Sequence, residues 1–224
     1  MFDKKYKNNL LLAGRTGIEI LHYSQNFISL SERLKYISYN GSIQAAIIQG
    51  VKAYSLKELA NSLSEISKKF APAIEKIEKR CTNFSTLIIR TNLLMEINIK
   101  NELSLDIIDN KNQKEELSSL YQRIKEDFTV VQEDIFKFLV ESKDDIINFR
   151  YIVKSINKDS TTIKYIGSNI LIDTANFGKK RSSFISLVED INKISNDLNS
   201  NIDKIDTLIN SLNSNIEYLL NNTK

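Results

Sequence analysis

Residues 191–219 constrain this chain more than any other stretch. Ile191, Ser195, Leu198, Ile202, Ile205, Ile209, Leu212, Ile216 and Leu219 follow one another at alternating steps of four and three. That alternation keeps every entry on one side of a 3.6-residue turn, so it is the seam of a helix packed against other helices. At 1.5 Å per residue the seam runs for about 45 Å. Ser195 is its one polar entry, and Asn and Ser fill many outward positions. Such residues are weak helix formers, so packing must hold this helix together.

A second seam is read through Leu59, Leu63, Ile66, Phe70, Ala73, Ile77, Phe84, Ile88 and Thr91. A third runs through Leu117, Leu120, Ile124, Val131, Ile135 and Phe138, then resumes at Phe149, Ile152 and Ile156. Breakers are scarce, with 6 Gly and 1 Pro in 224 residues. Folds rich in strands and turns use far more of both. Pro72 falls inside the second seam and predicts a kink over residues 68–72. Gly50 and Gly178 each precede a polar stretch and suit helix ends. The stretch Asn101–Gln113 has weak helical period and a polar run, so it reads as the longest loop. The expectation is therefore an all-α chain with helices near 8–49, 53–100, 113–177 and 181–222. Residues 1–100 and 113–224 each form a long antiparallel hairpin, 101–112 link them, and the two pack as one four-helix coiled-coil bundle.

Hydrophobic residues make up 42% of the chain and charged residues 26%, enough apolar material for a core. The net charge of +3 is mild, and 31 Lys and Arg interleave with 28 acids, as on solvated helix faces. Lys179-Lys180-Arg181 is too short a basic run to suggest nucleic acid. Cys81 is alone, so no internal disulfide is possible, and a reducing compartment is expected. There is neither a leader-like segment after Met1 nor an apolar run of about 18 residues. A cytoplasmic protein without a membrane span is the expectation.

No constellation points to catalysis. His22 is the sole histidine and has no cysteine or acid cluster to complete a metal site. It could accept phosphate, as in histidine phosphotransfer bundles, though an exposed helical position explains it as well. Cys81 sits at a seam-like position and reads as core. Gly14-Arg15-Thr16-Gly17 lacks the Lys-Ser/Thr pair and preceding strand of a phosphate loop. Asp144-Asp145 and Glu189-Asp190 are adjacent pairs, so they point to different faces of a helix. The chain is expected to be no enzyme and to need no metal or cofactor.

An internal repeat is visible. Tyr36, Ile37, Asn40, Ile43 and Ala46 recur 129 residues later as Tyr165, Ile166, Asn169, Ile172 and Ala175. Past the turn the offset becomes 128, where Leu59 meets Leu187, Leu63 meets Ile191, and Ile66-Ser67 meets Ile194-Ser195. Ile74 and Ile77 likewise meet Ile202 and Ile205. The repeated unit is the end of one helix, a turn and the start of the next, which points to duplication.

This unit resembles the hairpin tip of the cytoplasmic signalling domain of bacterial chemoreceptors, the methyl-accepting chemotaxis proteins. In the first copy, Arg33, Tyr36, Ile37, Asn40, Ile43, Gln44, Ala45 and Ala46 fall on that family's pattern. In the second, Asn169, Ile172, Asp173, Ala175, Gly178, Phe184, Val188, Asp190, Ile191, Lys193 and Ile194 do. The likeness covers a third to a half of the chain. The family's tip Glu and Arg are replaced by Gln44 and Ile47 in one copy and by Asp173 and Asn176 in the other, and its paired methylation motifs are not evident. The resemblance implies a soluble signalling or scaffold module that docks partners at its tip: a chemotaxis-type histidine kinase, its coupling adaptor or other receptors. The partner-binding residues it implies are Asn40, Gln44, Lys52, Tyr54, Asn169, Asp173, Asn176, Lys180 and Arg181. Tyr36, Tyr39, Tyr54, Tyr165 and Phe184 cluster at the two tips, as core packing or as a docking surface. Self-association is also open. The alternatives in other classes are a helical effector or toxin acting on membranes and the phosphotransfer bundle already raised.

Overall fold

The computed structural model describes residues 4–48, 51–110, 118–175 and 181–223. These are all-α: four helices, α1 (Lys4–Ile47), α2 (Val51–Asn110), α3 (Ser118–Asp173) and α4 (Arg181–Asn221), packed against one another. The chain divides into two compact units, and each helix contributes to both. Unit 1 comprises residues 1–19, 80–148 and 208–224, and unit 2 comprises 20–79 and 149–207.

In unit 1 the core is built by Tyr6, Leu10 and Ala13 of α1, Cys81, Phe84, Ile88 and Met95 of α2, Ile135, Leu139 and Ile146 of α3, and Ile209, Leu212, Ile216 and Leu219 of α4, all buried. Each fully buried Leu, Ile or Phe contributes about 1.5–3 kcal/mol. Rising numbers on α1 meet falling numbers on α2. A Cβ on Gly14 would lie 3.0 Å from Ile88 Cγ2, and one on Gly17 2.8 Å from Phe84 Cδ1. The missing side chains let a branched and an aromatic side chain lie directly on the α1 backbone. Tyr6 and Thr223 share a buried 2.8 Å hydrogen bond between their hydroxyls. Burial pushes the Tyr6 phenol up to about 12, against the smaller pull of Thr223.

In unit 2 the same rule of buried fours and threes holds, with smaller residues admitted. Ser24, Ser38, Ser67, Ser160 and Ser195 are buried beside Phe27, Phe70, Phe149 and Phe184. The hydroxyls of Ser24 and Ser67 donate to the carbonyls of Leu21 and Ser64 at 2.7 and 2.8 Å, and other serines bridge helices. Ser31 donates to the Ser67 carbonyl at 2.8 Å. Ser160 donates to Asn199 Oδ1 at 2.7 Å, and Ser195 donates to the Ser160 carbonyl at 3.3 Å. A helix-to-helix bridge of this kind needs backbones close enough for a short side chain to span them. Gly167 serves the same end, since a Cβ there would stand 2.9 Å from Ile191 Cγ2.

Three expectations need correction. Residues 101–110 are helix rather than loop, because α2 runs to Asn110; the rest of the expected loop, 111–113, lies outside the described residues. The polar residues there suit a helix whose sides stay partly wet, which is why they blurred the period. The α2 seam is also shifted: Ala60, Ser67 and Ile74 are its entries, while Leu59 and Ala73 are half-buried. On α3, Leu139 and Val153 are buried where Phe138 and Ile152 are half-buried, and Leu120 is exposed. At Leu59, Phe138 and Ile152 the larger neighbour suggested the seam and the smaller one is buried, while at Ala73 the larger Ile74 is buried instead. Pro72 lies inside α2, which continues as helix on both sides of it, and Pro72 and Lys68, the residue whose carbonyl would otherwise accept its amide, are both exposed.

Candidate functional site

The tip residues expected to bind a partner fall in unit 2. Asn40 and Asn169 are exposed on α1 and α3, and Gln44 and Asp173 are half-buried. Tyr54 is 69% exposed in the first turn of α2. Beside it, the Ser55 hydroxyl donates to Asp173 Oδ2 at 2.6 Å. That bond brings the start of α2 to the end of α3 and sets Asp173 next to the Tyr54 position. Lys52 and Arg181 lie in the first turns of α2 and α4. Asn176 and Lys180 lie outside the described residues.

The aromatic set divides. Phe184 is buried at 1% exposure, whereas Tyr36, Tyr39, Tyr54 and Tyr165 stand 53–70% exposed. Tip packing therefore accounts for the phenylalanine and leaves the four tyrosines on the surface. Ile43 and Ile172 are exposed as well. Tyr36, Asn40 and Ile43 are spaced by four and three, so they share one outward face of α1, and Tyr165, Asn169 and Ile172 share the matching face of α3. Two members of the repeat were missed in the sequence. Lys35 and Lys164 also stand 129 apart and are exposed, and Ser31 and Ser160 make the interhelical bridges already described.

Other candidates find plainer places. His22 is exposed, with Tyr23 set edge-on at 5.7 Å between ring centres. Cys81 is buried in the α2 seam. Gly14 and Gly17 sit mid-helix against Ile88 and Phe84, which is a packing role. Among the described residues no group of three His, Cys, Asp or Glu could hold a metal ion.

Unit 1 carries an open groove of about 410 Å³ that includes Asn83, Arg90, Glu141, Asp144 and Asp145. Arg80 Nη1 donates to Asp145 Oδ1 at 2.5 Å. Burial nonetheless holds the Asp145 carboxyl above the usual carboxylate range, outweighing the Arg80 charge. Asp159 of unit 2 is raised for the same reason, with Lys69 3.9 Å away. Asp145 is thus held by the Arg80 ion pair with Glu141 and Asp144 lining the same groove, and Asp159 by the longer contact to Lys69. No described helix is long and apolar enough to cross a membrane.

No protein family, curated protein or solved structure matches the chain.

Proposed function

We propose that this protein is a non-enzymatic docking module. In this reading two antiparallel hairpins, each made of consecutive helices, pack as one four-helix coiled coil, and the end bearing Asn40, Gln44, Tyr54, Asn169 and Asp173 engages a protein partner. The resemblance to chemoreceptor signalling domains makes a chemotaxis-type histidine kinase, its coupling adaptor or a receptor the partner class, and a reducing, cytoplasmic setting suits it. The supporting observation is the exposure of Tyr36, Tyr39, Tyr54 and Tyr165 in a unit that buries Phe27, Phe70, Phe149 and Phe184. Tyrosine offers a large amphipathic surface at little cost in rotamer entropy, and it is enriched where protein partners bind. Capture from lysate of the source cells tests the reading, comparing wild type with Tyr54→Ala/Tyr36→Ala and identifying bound proteins by mass. Wild-type-specific capture of a kinase, adaptor or receptor supports it. Equal capture by both proteins, or none by either, removes it.

A further inference from the structure

The repeat has kept its outside and let its inside drift. Between 31–46 and 160–175, Lys35, Tyr36, Asn40, Ile43 and Ala46 recur identically, and all ten residues are exposed. Of the seven pairs exposed in both copies over this stretch, those five are identical and only Glu32 against Thr161 and Tyr39 against Ser168 differ, whereas of the five pairs buried in both only Ile37 and Ile166 agree, with Leu34 against Ile163, Ser38 against Gly167, Gly41 against Ile170, and Ala45 against Thr174. Core positions tolerate such exchanges when the volume is accommodated. Outward positions have no packing reason to stay alike, and a shared contact supplies one. Each copy presents the same chemistry: a lysine ammonium, a tyrosine, an amide and an isoleucine along about 12 Å of helix.

A surface of opposite character exists on unit 1. On α3, Glu133, Asp134, Glu141 and Asp144 are exposed and make no ion pair among the described residues. Glu126 and Asp127 extend that acidic run, Val130 and Val140 stand exposed between the acids, and Ile147 is exposed just past them. Residues 118–148 hold 7 acids against 4 bases. By unit, unit 2 has 17 Lys and Arg against 12 acids, a net of +5, while unit 1 has 14 against 16, a net of −2.

We infer that the repeated Lys-Tyr-Asn-Ile faces of unit 2 bind the acidic, valine-studded face of α3 in unit 1 of a second copy of this chain. Lysines meet carboxylates while Tyr36 or Tyr165, with Ile43 or Ile172, cover Val130, Val140 and Ile147. The two surfaces are different, so the contact is heterologous. Each chain carries two donor faces and one acceptor, so association continues past the dimer as concentration rises. Long-range attraction between +5 and −2 bodies makes it salt-sensitive. The inference stands apart from the kinase-docking reading, which needs no second copy.

Sedimentation equilibrium of the full chain over a concentration series tests it, at about 50 mM and about 500 mM salt. Two charge-reversed proteins are compared with wild type, K35E/K164E and E133K/D134K/E141K, with helicity checked by circular dichroism. All substituted positions are exposed, so both variants are expected to keep wild-type helicity. Wild type should associate at low salt and weaken at high salt. Each variant alone should associate roughly tenfold more weakly or not at all, and mixing the two should restore association. A wild type that stays monomeric throughout overturns the inference. So does undiminished association of both variants, or a mixture that fails to restore it.

Discussion

Units 1 and 2 follow one packing rule and wear different coats. Among the described side chains of unit 1 the exposed large apolar residues are aliphatic apart from Phe136, and include Ile18, Ile89, Leu93 and Val130. In unit 2 they include Tyr36, Tyr39, Tyr54, Tyr151 and Tyr165. The charge follows the same divide, acidic in one and basic in the other. The interiors differ too. In unit 1 the buried hydroxyls of Thr16, Thr91 and Ser142 bond back to carbonyls of their own helices, and Tyr6 with Thr223 makes the one cross-helix hydroxyl pair described there, whereas unit 2 bridges helices with the serines of its seam. A regular seam thus settles which helices form and leaves the exterior free to diverge, so any function must be sought on the exterior.

The strongest way to break the comparison is to remove bulk from unit 1. Phe84 is fully buried and lies against the Gly17 backbone. Phe84→Ala should cost about 3–5 kcal/mol in urea unfolding, because no side chain at position 17 can move into the space. Tyr36→Ala in unit 2, at 70% exposure, should fall within about 0.5 kcal/mol of wild type in the same assay. A next effect has the opposite sign. Asn98 is buried with neither amide atom hydrogen-bonded. Asn98→Leu should therefore stabilise by about 1–2 kcal/mol, and a loss instead would mean that the amide serves the packing of unit 1. In unit 2, Ser160→Ala removes the donor to Asn199 and should cost about 1 kcal/mol by thermal unfolding.

The smallest effect concerns pH. Asp145 and Asp159 have folded-state values raised by burial, so the folded chain holds their protons more tightly than the unfolded chain does. Their ionisation subtracts from stability, and stability returns as pH falls through the raised values. The melting temperature of wild type relative to D145N/D159N should therefore climb as pH drops from about 6 towards about 4. A difference independent of pH would show that the two carboxyls titrate normally.

Much of this was legible in advance. The α4 entries from Ile191 to Leu219 are all buried, because there the large residues and the seam coincide. On α2 the two part company at Leu59 and Ala60, and the sequence alone cannot show that the smaller residue wins until a neighbouring backbone is in place. The helical extension to Asn110 was hidden because residues 99–107 are at best half-buried and carry little period. For the candidate site, the repeat marked the correct stretch of both helices. It could not say that the tyrosines face outward, since Tyr suits a core as readily as a rim. Ser55 was missed altogether, because a lone serine in a first turn carries no signal of the Asp173 it meets across the unit.

The 2.8 Å bond between Tyr6 and Thr223 joins positions 217 residues apart in sequence. A contact between positions so distant in sequence can form only once the intervening chain has folded back, so it reports on the completed assembly of unit 1 rather than on any local step in its folding.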